Sequence, residues 1–227
     1  MIPGALTAEL PGGGHALFTT REEGNMSSTG GNGFERGAQN RDLLRRRVRA
    51  QGLARGFQVH GTKVALARRM VSDAPGNEGL AEADGQATDL RDLGVMVLAA
   101  DCLPVALGCQ GAVAAVHAGW RGLGEGVLEQ GVEALRELGG EGPIGAVLGP
   151  CAGACCYEVG PEVHLALGRP GPKGTADLRA IARERLLAAG VEETAETGGC
   201  TICDERFFSH RREGDRAGRM AVVTWLS

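Results

Sequence analysis

The sequence predicts an α+β fold, a single-domain mixed β-sheet sandwich flanked by helices. Three observations predict it. Residues 95–100 and 112–116 are short, uncharged runs rich in β-branched residues, as buried strands are. Residues 123–138 and 177–189 place their apolar residues on one stripe, as amphipathic helices do. Strands and helices alternate without the regularity of a doubly wound sheet. With 227 residues, 43% of them hydrophobic, the chain supports one sizeable core, and residues 1–227 are read as a single domain.

The elements follow in order. Residues 15–20 suit a first strand, and a Gly-, Ser- and Asn-rich loop runs from Arg21 to about Gly37. Asn40 is placed to cap a helix that carries Leu43, Leu44 and Val48 on one face and stops at Gly52. Residues 57–60 read as a strand ending in His60, with Gly61 as a turn and 63–67 as a second strand. Residues 71–83 read as an exposed loop and 84–89 as a polar turn. Residues 103–107 form a strand between the two apolar runs, and 108–111 a hairpin turn. One helix is expected after Arg121, with Leu123, Val127, Leu128, Gly131, Leu135 and Leu138 inward, ended by Gly139-Gly140. Residues 144–148 suit a strand, 149–160 a thiol-dense loop, 162–167 a helical turn, 177–189 a helix and 220–226 a last strand.

Composition removes several classes of function. The net charge is −4, and basic residues gather only at Arg45-Arg46-Arg47 and Arg211-Arg212, so no nucleic-acid partner is expected. No apolar run approaches the roughly 20 residues of a membrane span, and the first residues lack a signal peptide's basic and apolar regions. No membrane association and a cytoplasmic location are therefore expected, with a monomer as the default assembly. Seven cysteines, an odd number in a chain with a real core, argue for reduced thiols rather than a disulfide scaffold.

The chemistry concentrates between Ala100 and Gly122. Strands this closely spaced bring Cys102 and His117 to one sheet edge. Arg121 follows at a predicted helix start, where anions bind. His60, Cys102 and His117 together make a His/Cys/His donor set that leaves one tetrahedral position open, the pattern of catalytic rather than structural zinc. Imidazole and thiolate also suit copper, and spacing alone leaves a buried thiol with two packing histidines as the plainer reading.

Five segments carry a resemblance that spans about Phe18 to Leu226. They are Gln58-Val59-His60-Gly61, Ala100-Asp101-Cys102-Leu103-Pro104, His117-Ala118-Gly119-Trp120-Arg121-Gly122, Cys155-Cys156-Tyr157-Glu158-Val159-Gly160 and Arg206-Phe207-Phe208-Ser209. In this order they resemble the family named for multicopper polyphenol oxidoreductase or laccase activity, also for purine nucleoside phosphorylase activity, and called peptidoglycan editing factor. The resemblance implies a zinc site at His60, Cys102 and His117, with copper as the other candidate ion. It implies purine nucleosides and phosphate as substrates, with phosphorolysis of adenosine, inosine, guanosine and methylthioadenosine and deamination of adenosine.

On this reading Arg121 meets phosphate or transition-state charge, Asp101 orients a ligand, and Arg21 and Asn40 reach the substrate. The chain departs from the family pattern between Glu22 and Gly37, at His210 where a tyrosine is expected, and at Ala100 in place of threonine. Cys200-Thr201-Ile202-Cys203 has metal-ligand spacing but reads as structural or idle, and Cys155 and Cys156 are expected to shape the wall of the pocket.

Two rival mechanisms follow from the same residues. A cysteine hydrolase would use Cys102 as nucleophile and His117 as base on an amide, with Asp101 or another polar group orienting the imidazole, and the editing-factor name of the resembled family implies cell-wall precursors as substrates of such a cysteine-type or a metal-dependent hydrolase. Its support is a fold-level similarity to cysteine-dependent deamidases, with comparable α/β layers, which is analogy. A laccase-type oxidase needs about ten His or Cys copper ligands, and five histidines are too few.

Overall fold

In the computed structural model, residues 4–70, 76 and 79–227 are described. The chain runs through β1 (Leu6–Leu10), β2 (Gly14–Phe18), α1 (Gly37–Arg47), β3 (Gly52–Ala54), β4 (Val64–Leu66), β5 (Gly85–Thr88) and β6 (Leu93–Ala99). It continues through β7 (Leu103–Gln110), β8 (Ala112–Ala118), α2 (Trp120–Glu125), α3 (Val127–Glu137), β9 (Glu141–Leu148), β10 (Glu158–Val159) and α4 (Pro161–Ala166). The last elements are β11 (Gly174–Thr175), α5 (Leu178–Ala188), β12 (Val191–Glu196), α6 (His210–Glu213) and β13 (Met220–Leu226).

Two mixed sheets face each other. One has the order β1-β2-β13-β6-β3 and the other β12-β9-β7-β8-β5-β4, while β10 and β11 form a separate ribbon. β13 runs antiparallel to β2 and β6, and β3 parallel to β6. β7 is antiparallel to β8 and β9, whereas β12 pairs parallel to β9 and β4 parallel to β5. The predicted α+β sandwich flanked by helices is the observed architecture.

Alternation along the strands sorts the core into layers. Ala106 of β7 and Val113 and Ala115 of β8 pack with Phe18, Val95, Val97 and Val222 between the sheets. Their neighbours Val105, Leu107, Ala114 and Val116 face the other way, against Leu128, Leu135, Ile181 and Leu186 of α3 and α5. Leu44 and Val48 cover the far face of the five-stranded sheet with Leu53, Met96 and Val223. His117 lies two residues beyond Ala115 and so points to the inter-sheet side, at the end of its strand.

Several elements differ from expectation, each for a local reason. The predicted strand at 57–60 is absent; only an isolated bridge joins Phe57 to Glu82, and His60 adopts a left-handed φ of 63°. The polar turn expected at 84–89 is strand β5, whose four residues are all buried. Helix α1 begins at Gly37, so Asn40 lies inside it and caps nothing, and Gly52 opens β3 rather than stopping a helix. The single helix expected after Arg121 breaks into α2 and α3 at Gly126, whose φ of 103° no continuous helix accepts. The edge strands β1 and β12 were not expected, and 71–75 and 77–78 of the predicted loop lie outside the described residues. Among the described residues no helix is long and apolar enough to cross a membrane.

Candidate metal centre and its cavity

Four segments converge where the ends of the two sheets meet. Cys102 sits in the turn from β6 to β7, after Asp101 with its left-handed φ of 85°. His117 is the penultimate residue of β8, paired in register with Pro104. His60 comes from the connection between β3 and β4. Asp84, immediately before β5, is fully buried and binds the other segments together.

The Asp84 carboxylate accepts the backbone N–H groups of Val59 (3.0 Å), His60 (3.0 Å) and Gly61 (2.8 Å). Three donors from consecutive residues hold the loop in the left-handed turn that aims His60 inward. The same carboxylate lies 2.8 Å from His117 Nδ1. That hydrogen bond sets the orientation of the imidazole and leaves Nε2 for an ion, as carboxylate–histidine–metal arrangements do. Burial raises the Asp84 carboxyl, but the hydrogen bonds from His117, Val59 and Gly61 outweigh it and hold the group below the usual carboxylate range. Gln58 secures the other side of the loop through bonds of 2.8 Å to both the N–H and the carbonyl of Leu98.

The ligating atoms of His60, Cys102 and His117 all lie within 4.8 Å of one another. The two rings meet edge to face with centroids 5.0 Å apart. Gly119 makes the approach possible: a Cβ there would stand 3.0 Å from the His60 ring, 3.2 Å from Cys102 Sγ and 3.7 Å from the His117 ring. Two imidazoles and a thiol gathered this closely, with one imidazole oriented by a carboxylate, fit a tetrahedral divalent ion with one position left open. Burial pushes the Cys102 thiol up, yet His117 and His60 more than offset it and bring it to about 6. Burial pushes His117 down, and Cys102 and Asp84 raise it to about 9.

The centre opens into a cavity of about 450 Å³ lined by Cys102, His60, His117, Trp120, Arg121 and Tyr157, with Arg211, Arg219 and His210 at its rim. Its basic side chains suit an anionic ligand and its aromatic ones a flat ring. Arg121 stacks on Trp120, 4.1 Å from the ring centroid. Asp101 also lines this cavity, but its carboxylate is bound to the fold: it accepts the Thr201 hydroxyl at 2.6 Å and the Arg211 backbone N–H at 2.6 Å.

Arg21 and Asn40, expected at the substrate, do not line the cavity. Arg21 pairs with Glu213 at 2.6 Å and lies over the Phe208 ring, while Asn40 donates to the Asn25 carbonyl at 2.7 Å and lines a different hollow. Cys155 and Cys156 do not line it either; Tyr157, next in sequence, does. The residue missed by sequence reading is Asp84, together with Arg211 and Tyr157. Asp84 stands 33 positions from His117 in a stretch that reads as a polar turn, so only its buried neighbourhood betrays it.

A family model described as multi-copper polyphenol oxidoreductase laccase matches residues 13–227. A Xylella fastidiosa protein named purine nucleoside phosphorylase is 36% identical over 235 residues, covering 95% of this chain and 88% of that one. An Escherichia coli protein named purine nucleoside phosphorylase YfiH is 43% identical over 145 residues, 57% of this chain and 58% of its own. Among solved structures, Neisseria meningitidis protein NMB0706 superimposes with a TM-score of 0.82 at 33% identity, over 99% of each chain. YlmD from Geobacillus stearothermophilus gives 0.81 at 26% identity, over 94% of this chain and 92% of its own.

Proposed function

The chain belongs to the multi-copper polyphenol oxidoreductase laccase family, and we propose that within it this protein is a zinc-dependent purine nucleoside phosphorylase. The observation that carries this reading is the Asp84-oriented His117, with His60 and Cys102, under a basic and aromatic cavity. The names of the relatives in Xylella and Escherichia coli support the same reaction class. Zinc is favoured over a multicopper relay because the one imidazole-containing donor cluster among the described residues holds two histidines and one thiol, enough for a single ion.

His60, Cys102 and His117 would hold the ion, which when bound would supply Lewis acidity to the cavity. The remaining work falls to the chain. Arg121 and Arg211 offer guanidinium groups to the phosphate, which attacks the ribose anomeric carbon. The glycosidic C–N bond breaks as the C–O bond to phosphate forms, and the purine takes up the proton that hydrogen phosphate gives up. Trp120 and Tyr157 present ring faces to the base. Asp101 acts through its neighbours, keeping the Cys102 turn and the Arg211 backbone in place. Purine nucleosides and phosphate are thus the substrates.

Purified protein given adenosine, inosine, guanosine or methylthioadenosine should release the free base and ribose 1-phosphate only when phosphate is present. Inosine formed from adenosine without phosphate would add the deaminase activity. Arg121→Ala should raise KM for phosphate about tenfold to a hundredfold, the worth of a charge-assisted hydrogen bond, with zinc content unchanged.

One observation favours a second reading. In space Cys102, His117 and Asp84 line up as nucleophile, base and orienting carboxylate, the arrangement a cysteine amide hydrolase uses. Such an enzyme would keep its activity after chelation and in a His60→Ala variant, and lose it to a thiol alkylator. The phosphorylase would lose activity to chelation and recover it with zinc.

A further inference from the structure

We propose that Cys155, Cys156, Cys200 and Cys203 form a second, structural zinc site, independent of the His60, Cys102 and His117 centre. Their sulfurs form one knot. Cys156 Sγ lies 3.3 Å from both Cys200 Sγ and Cys203 Sγ, and Cys155 Sγ lies 3.5 Å from both Cys156 Sγ and Cys203 Sγ. All four lie within 4.8 Å of one another. Four thiolates at about 2.3 Å from a tetrahedral zinc ion stand about 3.8 Å apart, so loading the site changes no sulfur–sulfur distance by more than about 1 Å.

The backbone is arranged for thiolates. Gly153 donates its N–H to Cys200 Sγ at 3.2 Å, and Cys203 donates its own N–H to the same sulfur. The Arg212 guanidinium binds the carbonyls of Thr201 (2.7 Å) and Ile202 (2.9 Å) between the two cysteines of the C-x-x-C pair. Arg179 reaches the Gly199 carbonyl at 3.2 Å. Each thiol gives its proton to solvent on binding, and no redox partner is needed. Four protein ligands close the coordination sphere, which makes the role structural.

The clasp reinforces the junction of two loops that a bridge between Cys151 and Cys200 already joins. Thr201, inside the C-x-x-C, receives its other supports from Cys151 O (2.9 Å) and Asp101 (2.6 Å), and Tyr157 follows Cys156 into the cavity wall. An ion here holds that wall in place without touching substrate.

Metal analysis and native mass spectrometry of the full chain, purified without chelator, test the proposal. The wild type should carry two zinc ions, and Cys155→Ser/Cys203→Ser one. Cys102→Ser should also carry one, and its cobalt-substituted form should show the intense thiolate-to-metal charge transfer of several sulfur ligands. That variant keeps all four cysteines, so it decides the matter even if the double variant does not fold. Unchanged zinc in a folded double variant, iron in place of zinc, disulfides among the four cysteines in the intact mass, or weak charge transfer in cobalt-loaded Cys102→Ser would overturn the site. Should the His/Cys/His centre hold nothing, the wild type and Cys102→Ser would both carry one ion and the double variant none.

Discussion

Asp84 orients the centre although it does not line the cavity. One buried carboxylate satisfies three backbone N–H groups and the His117 ring. Asp84→Asn replaces one acceptor oxygen by an amide that must face donors. Its zinc affinity should fall about 10- to 100-fold, as expected for loss of a ligand-orienting partner, measured by competition with a chromophoric chelator. Cys102 gives a second test at the same scale. In metal-free protein its thiol ionises near pH 6 rather than near its ordinary 9, because the His117 charge favours the thiolate. Lowering the pH through 6 should therefore protonate the sulfur and suppress alkylation, and raising it from 7 to 9 should change little. His117→Ala should return the transition toward the ordinary thiol range. The role of Asp84 was not legible in the sequence, since a lone acidic residue before a glycine reads as turn chemistry. His60, Cys102 and His117 were legible because each ends or follows an apolar run, or stands in a motif of recognisable order.

Among the elements, those with a strong hydrophobic signature were read well. The β7–β8 pair and β13 lie where their uncharged runs place them, and the α5 stripe is buried as expected at Leu178, Ile181, Ala182 and Leu186. β5 was missed because Gly85, Gln86 and Thr88 carry no apolar alternation, although the strand is buried between β8 and β4. β12 was missed because an edge strand with the sequence Val-Glu-Glu-Thr-Ala-Glu leaves five of its six residues exposed. Close contacts between elements are likewise invisible in a pattern of single residues. Gly122 of α2 lies against the loop of His60: a Cβ there would meet the Gly61 carbonyl oxygen at 2.5 Å. Gly122→Ala must push helix and loop apart, at a cost of about 1–3 kcal/mol, read as a lower midpoint in denaturant unfolding with unchanged slope. Gly119→Ala presses instead on Cys102 and His60 and should weaken zinc binding more than it weakens the fold.

At the scale of the molecule, the sandwich brings together residues from Ser27 to Arg219 that no local stretch contains. The cavity lies where the two sheets end, so its walls come from the β6–β7 turn, the β8 end, the loop of His60 and the segment around Arg211. The layered architecture could be anticipated from apolar runs and amphipathic stripes, and the family from ordered motifs. Arg21 and Asn40 could not be placed correctly, because their partners Glu213 and Asn25 are fixed only by tertiary folding. The central claim is that His60, Cys102 and His117 hold one divalent ion on which purine nucleoside phosphorolysis depends. The most direct measurement follows base release from inosine, with and without phosphate, in protein as purified, after chelation and after return of zinc. Phosphate-dependent release that chelation abolishes and zinc restores is the expected result. Release that survives complete removal of metal, or no release from zinc-loaded protein with phosphate present, would contradict it.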